Sequence, residues 1–371
     1  MNGALPASAE VVVIGGGVIG VSALYHLAAA GCTSAILIER EVLGSGSTAA
    51  AAGGIRAQFS DELNVRVALE CIRRFESFED EIGVDIDFKQ WGYLFLLEAG
   101  DVAEFERSVE MQHRLGVPVR MLSATDALQI VPGMNLTGIA AATFCPIDGY
   151  ATPAAVVNGY AQAARRLGAA VIENCTAEDI LVQDGRIVGV STSQGKVASP
   201  LVICAAGVWS RALVSRVGLD LPVVAEVRHV FFTEPGDPLP HELPLTIDFS
   251  TGFYFHREGT KLLLGGRMAN VEDLADAVIR RLPIISGLGV VGGWHGNYEM
   301  TPDHNALVGR AAIADGLLYA TGFSGHGFQQ SPVVGDYLAR LALGRKPPLD
   351  LSPFSADRFV TQQLRPEANV I

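Results

Sequence analysis

The stretch Tyr319-Ala-Thr-Gly-Phe-Ser-Gly-His-Gly-Phe-Gln329 decides the reading of this chain. An apolar run at 317–320 breaks into three glycines and then enters a helical pattern over 331–343, with Gly344 as its stop. Such a strand, Gly-rich turn and helix N-terminus presents backbone N–H groups to an anion. The other end of the chain carries a second unit of this kind. Gly15-Gly-Gly17-Val-Ile-Gly20 matches G-x-G-x-x-G between an expected strand (10–14) and helix (18–30), with the next strand at 35–39. Gly15 permits the tight turn, Gly17 lets backbone approach a pyrophosphate, and Gly20 allows close helix–strand packing. Glu39 ends the second strand, where an acid accepts from ribose hydroxyls, and Arg40 follows it. Two anion sites so far apart in sequence imply one extended ligand, a dinucleotide, gripped from both sides. The fingerprint alone does not separate FAD from NAD.

Bulk properties narrow the possibilities. The chain has 371 residues, enough for two domains. Its formal net charge of −13, with no basic run, argues against nucleic acid, whose binding needs concentrated Lys and Arg. Cys32, Cys71, Cys145, Cys175 and Cys204 are scattered with no C-x-x-C pair, so neither a metal site nor a disulfide framework is indicated and a cytoplasmic setting is expected. The tract 11–30 is almost free of polar side chains, as a membrane span would be, but it holds Gly15, Gly16, Gly17 and Gly20. A βα unit covered on both sides has the same hydropathy, so no membrane span is expected.

Farther along, amphipathic helix is expected over 61–82 and 102–115, and strand over 90–97. A short strand and a helix led by Ser123 follow, stopping at Val131-Pro-Gly133. A helix over 153–168 precedes a meander of short strands over 170–204. Strand-like segments at 223–233, 252–256 and 261–267 suggest a second sheet. The chain therefore reads as two interleaved domains. In Gly252-Phe-Tyr-Phe-His256, alternation places Tyr254 and His256 on one face, and His295 lies in Trp294-His-Gly-Asn-Tyr298. The loop 44–54 supplies Ser45, Ser47, Thr48, Gly53 and Gly54. Arg56, just beyond it, is a candidate for holding a carboxylate bidentately.

These residues resemble the D-amino-acid-oxidase (DAO) superfamily of flavoproteins, in the branch with sarcosine oxidase, glycine oxidase and proline dehydrogenase β subunits. The resemblance rests on Gly15 to Gly20, Glu39, GSGST…GGIRAQF at 44–59, 90–97, WHGNYEMTPDHNALVG at 294–309 and ATGFSGHGFQQSPVVG at 320–335. It implies an α/β (α+β two-domain) fold: a Rossmann-like FAD-binding domain (1–85, 150–222 and 297–371) interleaved with an antiparallel-sheet substrate domain (86–149 and 223–296). It also implies FAD over NAD. Gly15, Gly17, Val18, Ile19, Gly20, Glu39 and Arg40 would serve its adenosine and pyrophosphate. Ser45, Ser47, Thr48, Gly53, Gly54, Gly207 and the Ala177 backbone would add to these, and Gly325, His326, Gly327, Phe328 and Gln329 would line the flavin edge. Arg56 matches the family's carboxylate-binding arginine and Tyr254 falls in its substrate wall, with His256, His295 and Gln329 as further substrate contacts.

Three departures accompany the resemblance. Gly296 stands where relatives attach flavin covalently, implying non-covalent FAD. Leu263 replaces a lysine that assists oxygen reduction, with Lys261 nearby, and Gln329 replaces a second carboxylate-binding lysine. The implied activity is oxidation of a secondary or primary amine, an N-substituted or cyclic amino acid, to an imine by hydride transfer to flavin N5. A β-type subunit passing electrons to a partner subunit or other acceptor is the alternative. So is a flavin-bound assembly factor with little turnover, since the middle of the chain and its 350–354 segment also resemble the mitochondrial FAD-dependent oxidoreductase-domain proteins of complex I assembly.

Overall fold

The computed structural model describes residues 4–370. The apolar tract at 11–30 is not one span. It divides into a strand, Val11–Ile14, and a helix, Val18–Ala29, separated by a turn in which Gly15 takes φ +108°. A side chain at Gly15 would run into the Ala205 carbonyl, so only glycine fits the close approach of this turn to the neighbouring strand exit. The strand is apolar at every position because it lies mid-sheet, covered on both faces.

Six strands form that sheet in the order Leu307–Arg310, Leu317–Thr321, Val202–Cys204, Val11–Ile14, Ala35–Ile38 and Ala170–Ile172. All pairings are parallel except that of Leu307–Arg310 with Leu317–Thr321. Val11–Ile14 and Leu317–Thr321 flank Val202–Cys204, so three glycine-containing turns leave the carboxyl ends of three neighbouring strands. Ligands bind at that edge in parallel sheets. The helix Val18–Ala29 packs against Gly327–Ala342, where the Ser22 hydroxyl donates to the Ser331 carbonyl at 2.8 Å.

A second sheet of eight strands runs Val290–Met300, Val224–Thr233, Lys261–Gly266, Phe253–Glu258, Leu245–Asp248, Tyr93–Glu98, Ile139–Cys145 and Arg120–Ser123. It is antiparallel as expected, with one parallel seam between Leu245–Asp248 and Tyr93–Glu98. That seam is where two distant chain segments meet, so no hairpin forces the direction there. Next to it, Arg281 donates to Asp248 at 2.8 Å, both side chains fully buried.

Several boundaries differ from the sequence reading. The helix expected over 61–82 breaks at Ser77 into Glu62–Glu76 and Phe78–Ile82. The final helix begins at Gly327, four residues before the expected start, because its first turn is the glycine turn itself and Pro332 sits in its second turn. Of the expected 170–204 meander, only Ala177–Gln183, Arg186–Thr192 and Gly195–Ala198 form a separate antiparallel sheet. The helix Val271–Arg281 and the long edge strand Val290–Met300 were not foreseen. Among the described residues, no helix is long and apolar enough to cross a membrane.

Candidate active site

A cavity of about 540 Å³ opens along the carboxyl edge of the parallel sheet and reaches the face of the eight-stranded sheet. Its lining brings together Gly15, Gly17, Val18, Ile19, Glu39, Arg40, Ser45, Ser47, Thr48, Gly53, Gly54, Ala177 and Gly207 with Gly325, His326, Gly327, Phe328 and Gln329. Gly20 lies outside the lining and packs on the Gly15 carbonyl, the helix–strand contact its position in the fingerprint requires. At the N-terminal turn, Glu39 accepts from Gly16 N at 2.6 Å and from Glu41 N at 2.9 Å, while Thr48 Oγ1 accepts from Val18 N at 3.1 Å. The guanidinium of Arg40 stacks on Trp209, 3.6 Å from the ring centroid.

The two helices that start at the cavity, Val18–Ala29 and Gly327–Ala342, have no side-chain N-cap. Thr48 Oγ1 takes the Val18 N–H from outside the helix, and the N-cap residues Gly17 and His326 leave the other first-turn N–H groups without a side-chain cap. Gly325 has φ +88°, and a Cβ there would lie 2.6 Å from Cε2 of Tyr298. Glu299 supports this second turn, accepting from Gly322 N at 2.8 Å and Thr321 Oγ1 at 3.0 Å. Burial raises the Glu299 carboxyl above its usual range, opposed by those two bonds.

Arg56 and Tyr254 line the far part of the cavity together with Tyr93, Leu245, Asn297, Tyr298 and Gln329. Arg56 is 3% exposed, and its guanidinium lies 4.1 Å from the Phe59 ring centroid. Its Nη1 donates to the Gln58 carbonyl, and its Nη2 to Asn369 O at 2.6 Å and His326 Nε2 at 3.0 Å. All three acceptors are neutral. Gln329 Oε1 accepts from Arg56 N at 2.8 Å, so Gln329 braces the arginine's backbone. Burial pulls Arg56 below the ordinary guanidinium range, with Glu367 foremost among the charges that oppose it. His326 is held well below the normal imidazole range by burial, then by Arg56 and His304, so it is the neutral acceptor Arg56 needs. Burial raises the Tyr93, Tyr254 and Tyr298 phenols, which stay protonated.

The bidentate grip expected of Arg56 is not open in this arrangement. Both two-point faces of a guanidinium use Nη2, and both Nη2 hydrogens are taken. His256 and His295 do not reach the cavity. His256 shares a strand face with Tyr254, as alternation requires, but lies two residues beyond the cavity wall. It packs against Tyr150 at 4.3 Å with Nδ1 bonded to Arg257 O at 3.0 Å. Burial lowers its pKa to about 4, which suits a core histidine. His295 is exposed on the edge strand opposite His229. Leu263 is buried with Tyr93 and Tyr254 in an apolar cluster, and Lys261 is not in the lining.

Tyr93, Tyr298, Asn297, Glu299, Trp209 and Leu245 are among the lining residues that sequence reasoning missed. Tyr93 lies on a strand buried on both faces, where alternation carries no signal. Tyr298 was visible only as part of the 294–309 motif.

Comparison with known proteins agrees with this construction. Residues 10–341 match the family described as DAO, FAD dependent oxidoreductase. Human sarcosine dehydrogenase, mitochondrial, is 31% identical over 96% of this chain, which spans 42% of that protein. The 4-methylaminobutanoate oxidase (formaldehyde-forming) of Paenarthrobacter nicotinovorans is 30% identical over 97% of the chain and 46% of its own length. The chain thus spans less than half of these two relatives. Among solved structures, L-proline dehydrogenase from P. horikoshii superposes with a TM-score of 0.90 at 31% identity, covering 97% of this chain and 100% of that one.

The residues present fit FAD: two helix starts whose N-cap residues offer no side-chain cap, an acid at the second-strand exit, and glycines at 15 and 325 where a Cβ would collide with Ala205 and Tyr298. The chain belongs to the DAO family of FAD-dependent oxidoreductases.

Proposed function

We propose that the enzyme oxidises the amine of an N-substituted or cyclic amino acid to an imine, with FAD held non-covalently. FAD, when bound, supplies the acceptor for the hydride. Glu39 and the first glycine turn would hold its adenosine and pyrophosphate, and the turn from Gly325 to Phe328 its ring edge. The chain's own contribution is positioning and exclusion of water. Arg56 takes the substrate carboxylate through its remaining donors. Tyr93, Tyr254, Tyr298 and Leu245 form a largely aromatic wall that accommodates an N-alkyl group or a ring. That wall favours the neutral amine, because a buried ammonium without a counter-charge is costly.

The observation that carries this reading is Arg56, a buried cation bonded only to neutral acceptors and lining the cavity beside three protonated tyrosines. The names of the relatives support the same substrate class. A dehydrogenase is favoured over an oxidase, because no lysine lines the cavity and Leu263 is packed in an apolar cluster. The test is anaerobic addition of N-methyl and cyclic amino acids to the FAD-loaded chain. At least one should bleach the yellow absorbance, and reoxidation by an artificial dye should outpace reoxidation by air. No bleaching across the panel contradicts the proposal.

A further inference from the structure

The segment 366–370 has no regular secondary structure, yet Glu367, Ala368 and Asn369 are tied by hydrogen bonds to the 56–64 stretch. Glu367 is 1% exposed, and its carboxylate accepts from five neutral donors. These are Ser60 N (2.9 Å), Ser60 Oγ (2.8 Å), Asp61 N (3.1 Å), Asn64 Nδ2 (3.1 Å) and Asn369 N (3.0 Å). Glu367 N donates to Asp303 O at 3.0 Å, and Ala368 N to Ser60 Oγ at 2.7 Å. Asn369 then gives its carbonyl to Arg56 Nη2 at 2.6 Å, while its own Nδ2 donates to Gln58 O at 3.3 Å. That same Gln58 carbonyl accepts from Arg56 Nη1. The tail therefore touches the guanidinium directly and also braces the second carbonyl that holds it.

A buried carboxylate with no cation bonded to it is expensive unless a nearby charge compensates. Glu367 has that compensation in Arg56, without contact, and among the surrounding charges it does most to keep Arg56 protonated. We infer that the C-terminal segment Pro366–Val370 is part of the substrate-carboxylate site. Glu367 supplies the counter-charge and Asn369 the carbonyl that fix Arg56 with its unspent donors toward the cavity. Glu367 and Asn369 are thus positioning residues, acting through Arg56. The orientation matters because Nη2 is fully used, leaving only Nε–H and one Nη1 hydrogen for a ligand. Losing this segment would free one Nη2 hydrogen, the other staying on His326, and leave the guanidinium to turn among competing acceptors.

This inference rests on Arg56 binding the carboxylate, and the experiment separates the two. Cyclopentanecarboxylate and its neutral amide are titrated into FAD-loaded protein, with binding read from the flavin absorbance change and from tryptophan fluorescence. The wild-type chain should prefer the carboxylate. A chain ending at Arg365 should lose at least tenfold of that preference, and Glu367→Gln at least threefold, with amide binding and FAD affinity within twofold of wild type. For an oxidised amino acid, KM should rise more than kcat falls. If the shortened chain fails to retain FAD, Glu367→Gln decides. No wild-type preference contradicts the Arg56 assignment itself. A wild-type preference that survives Glu367→Gln and shortening overturns the role of the tail alone.

Discussion

Replacing Gly325 by alanine tests the second glycine turn as a cofactor cradle. The residue holds φ +88°, and its new Cβ would lie 2.6 Å from Cε2 of the Tyr298 ring and 3.1 Å from Cδ2. The left-handed conformation costs an alanine about 1–2 kcal/mol. Pushing the Tyr298 ring off its rotamer adds about 0.5–1.5 kcal/mol. The smaller unfolded-state entropy of alanine returns about 0.4–1 kcal/mol. The net loss of folding stability should be about 2 kcal/mol, measured by urea unfolding of the apoprotein. Gly344→Ala is the control, since Gly344 has φ +66° but nothing within 4 Å of its added Cβ. It bears the conformational cost without the collision. Because Tyr298 lines the cavity and Gly344 does not, FAD affinity should fall at least tenfold, about 1.4 kcal/mol, only for Gly325→Ala. FAD fluorescence titration reads this directly. Equal FAD affinity for Gly325→Ala and wild type, or an equal loss for Gly344→Ala, refutes the reasoning.

Other consequences follow from the same geometry. Glu39→Gln should weaken FAD binding by about 1.5–3 kcal/mol while leaving FMN, which lacks the adenosine, nearly unaffected in a parallel titration. Arg56→Met should retain FAD but lose about 1.5–3 kcal/mol of carboxylate-ligand affinity, read by spectral titration. Asp248→Asn, which leaves buried Arg281 without its carboxylate, should cost about 3–5 kcal/mol in urea unfolding. For pH, His256 is held at about 4 by burial, below its unfolded value. It therefore contributes stability at neutral pH that is lost as pH falls from 6.5 toward 4, by up to about 3 kcal/mol. Asp148, raised to about 6 by burial, has the opposite sign and gains stability as pH falls through that range. Unfolding curves at pH 7 and pH 4 should show a smaller acid loss for His256→Asn than for wild type, and a larger one for Asp148→Asn.

The first sheet was legible because local rules and burial agree there. Val11 to Ile14 is apolar throughout, Gly15 must turn, and Glu39 follows the second strand. The same agreement picked out both glycine turns and Arg56, which the fold brings to one cavity. Alternation placed His256 correctly on the face of Tyr254 but could not say where along the strand the cavity ends. Tyr93 was hidden by a strand buried on both faces, and Trp209 by a short helical turn that carries no motif. The donors left on Arg56 depend on Asn369, 313 positions away, and no local pattern reports such a contact. Gln329, expected as a substrate contact, instead reaches back to the Arg56 backbone, which only the packing of the final helix against the 54–59 segment reveals.

The proposed oxidation in this cavity depends on Arg56 holding the carboxylate of an amino acid. The most direct measurement is anaerobic titration of FAD-loaded wild-type and Arg56→Met chains with N-methyl and cyclic amino acids, and with the matching amines that lack the carboxylate. An amino acid should bleach the wild-type flavin at concentrations at least tenfold below those needed for its decarboxylated amine, with that advantage gone in Arg56→Met. Bleaching by neither series, or an unchanged advantage in Arg56→Met, contradicts it.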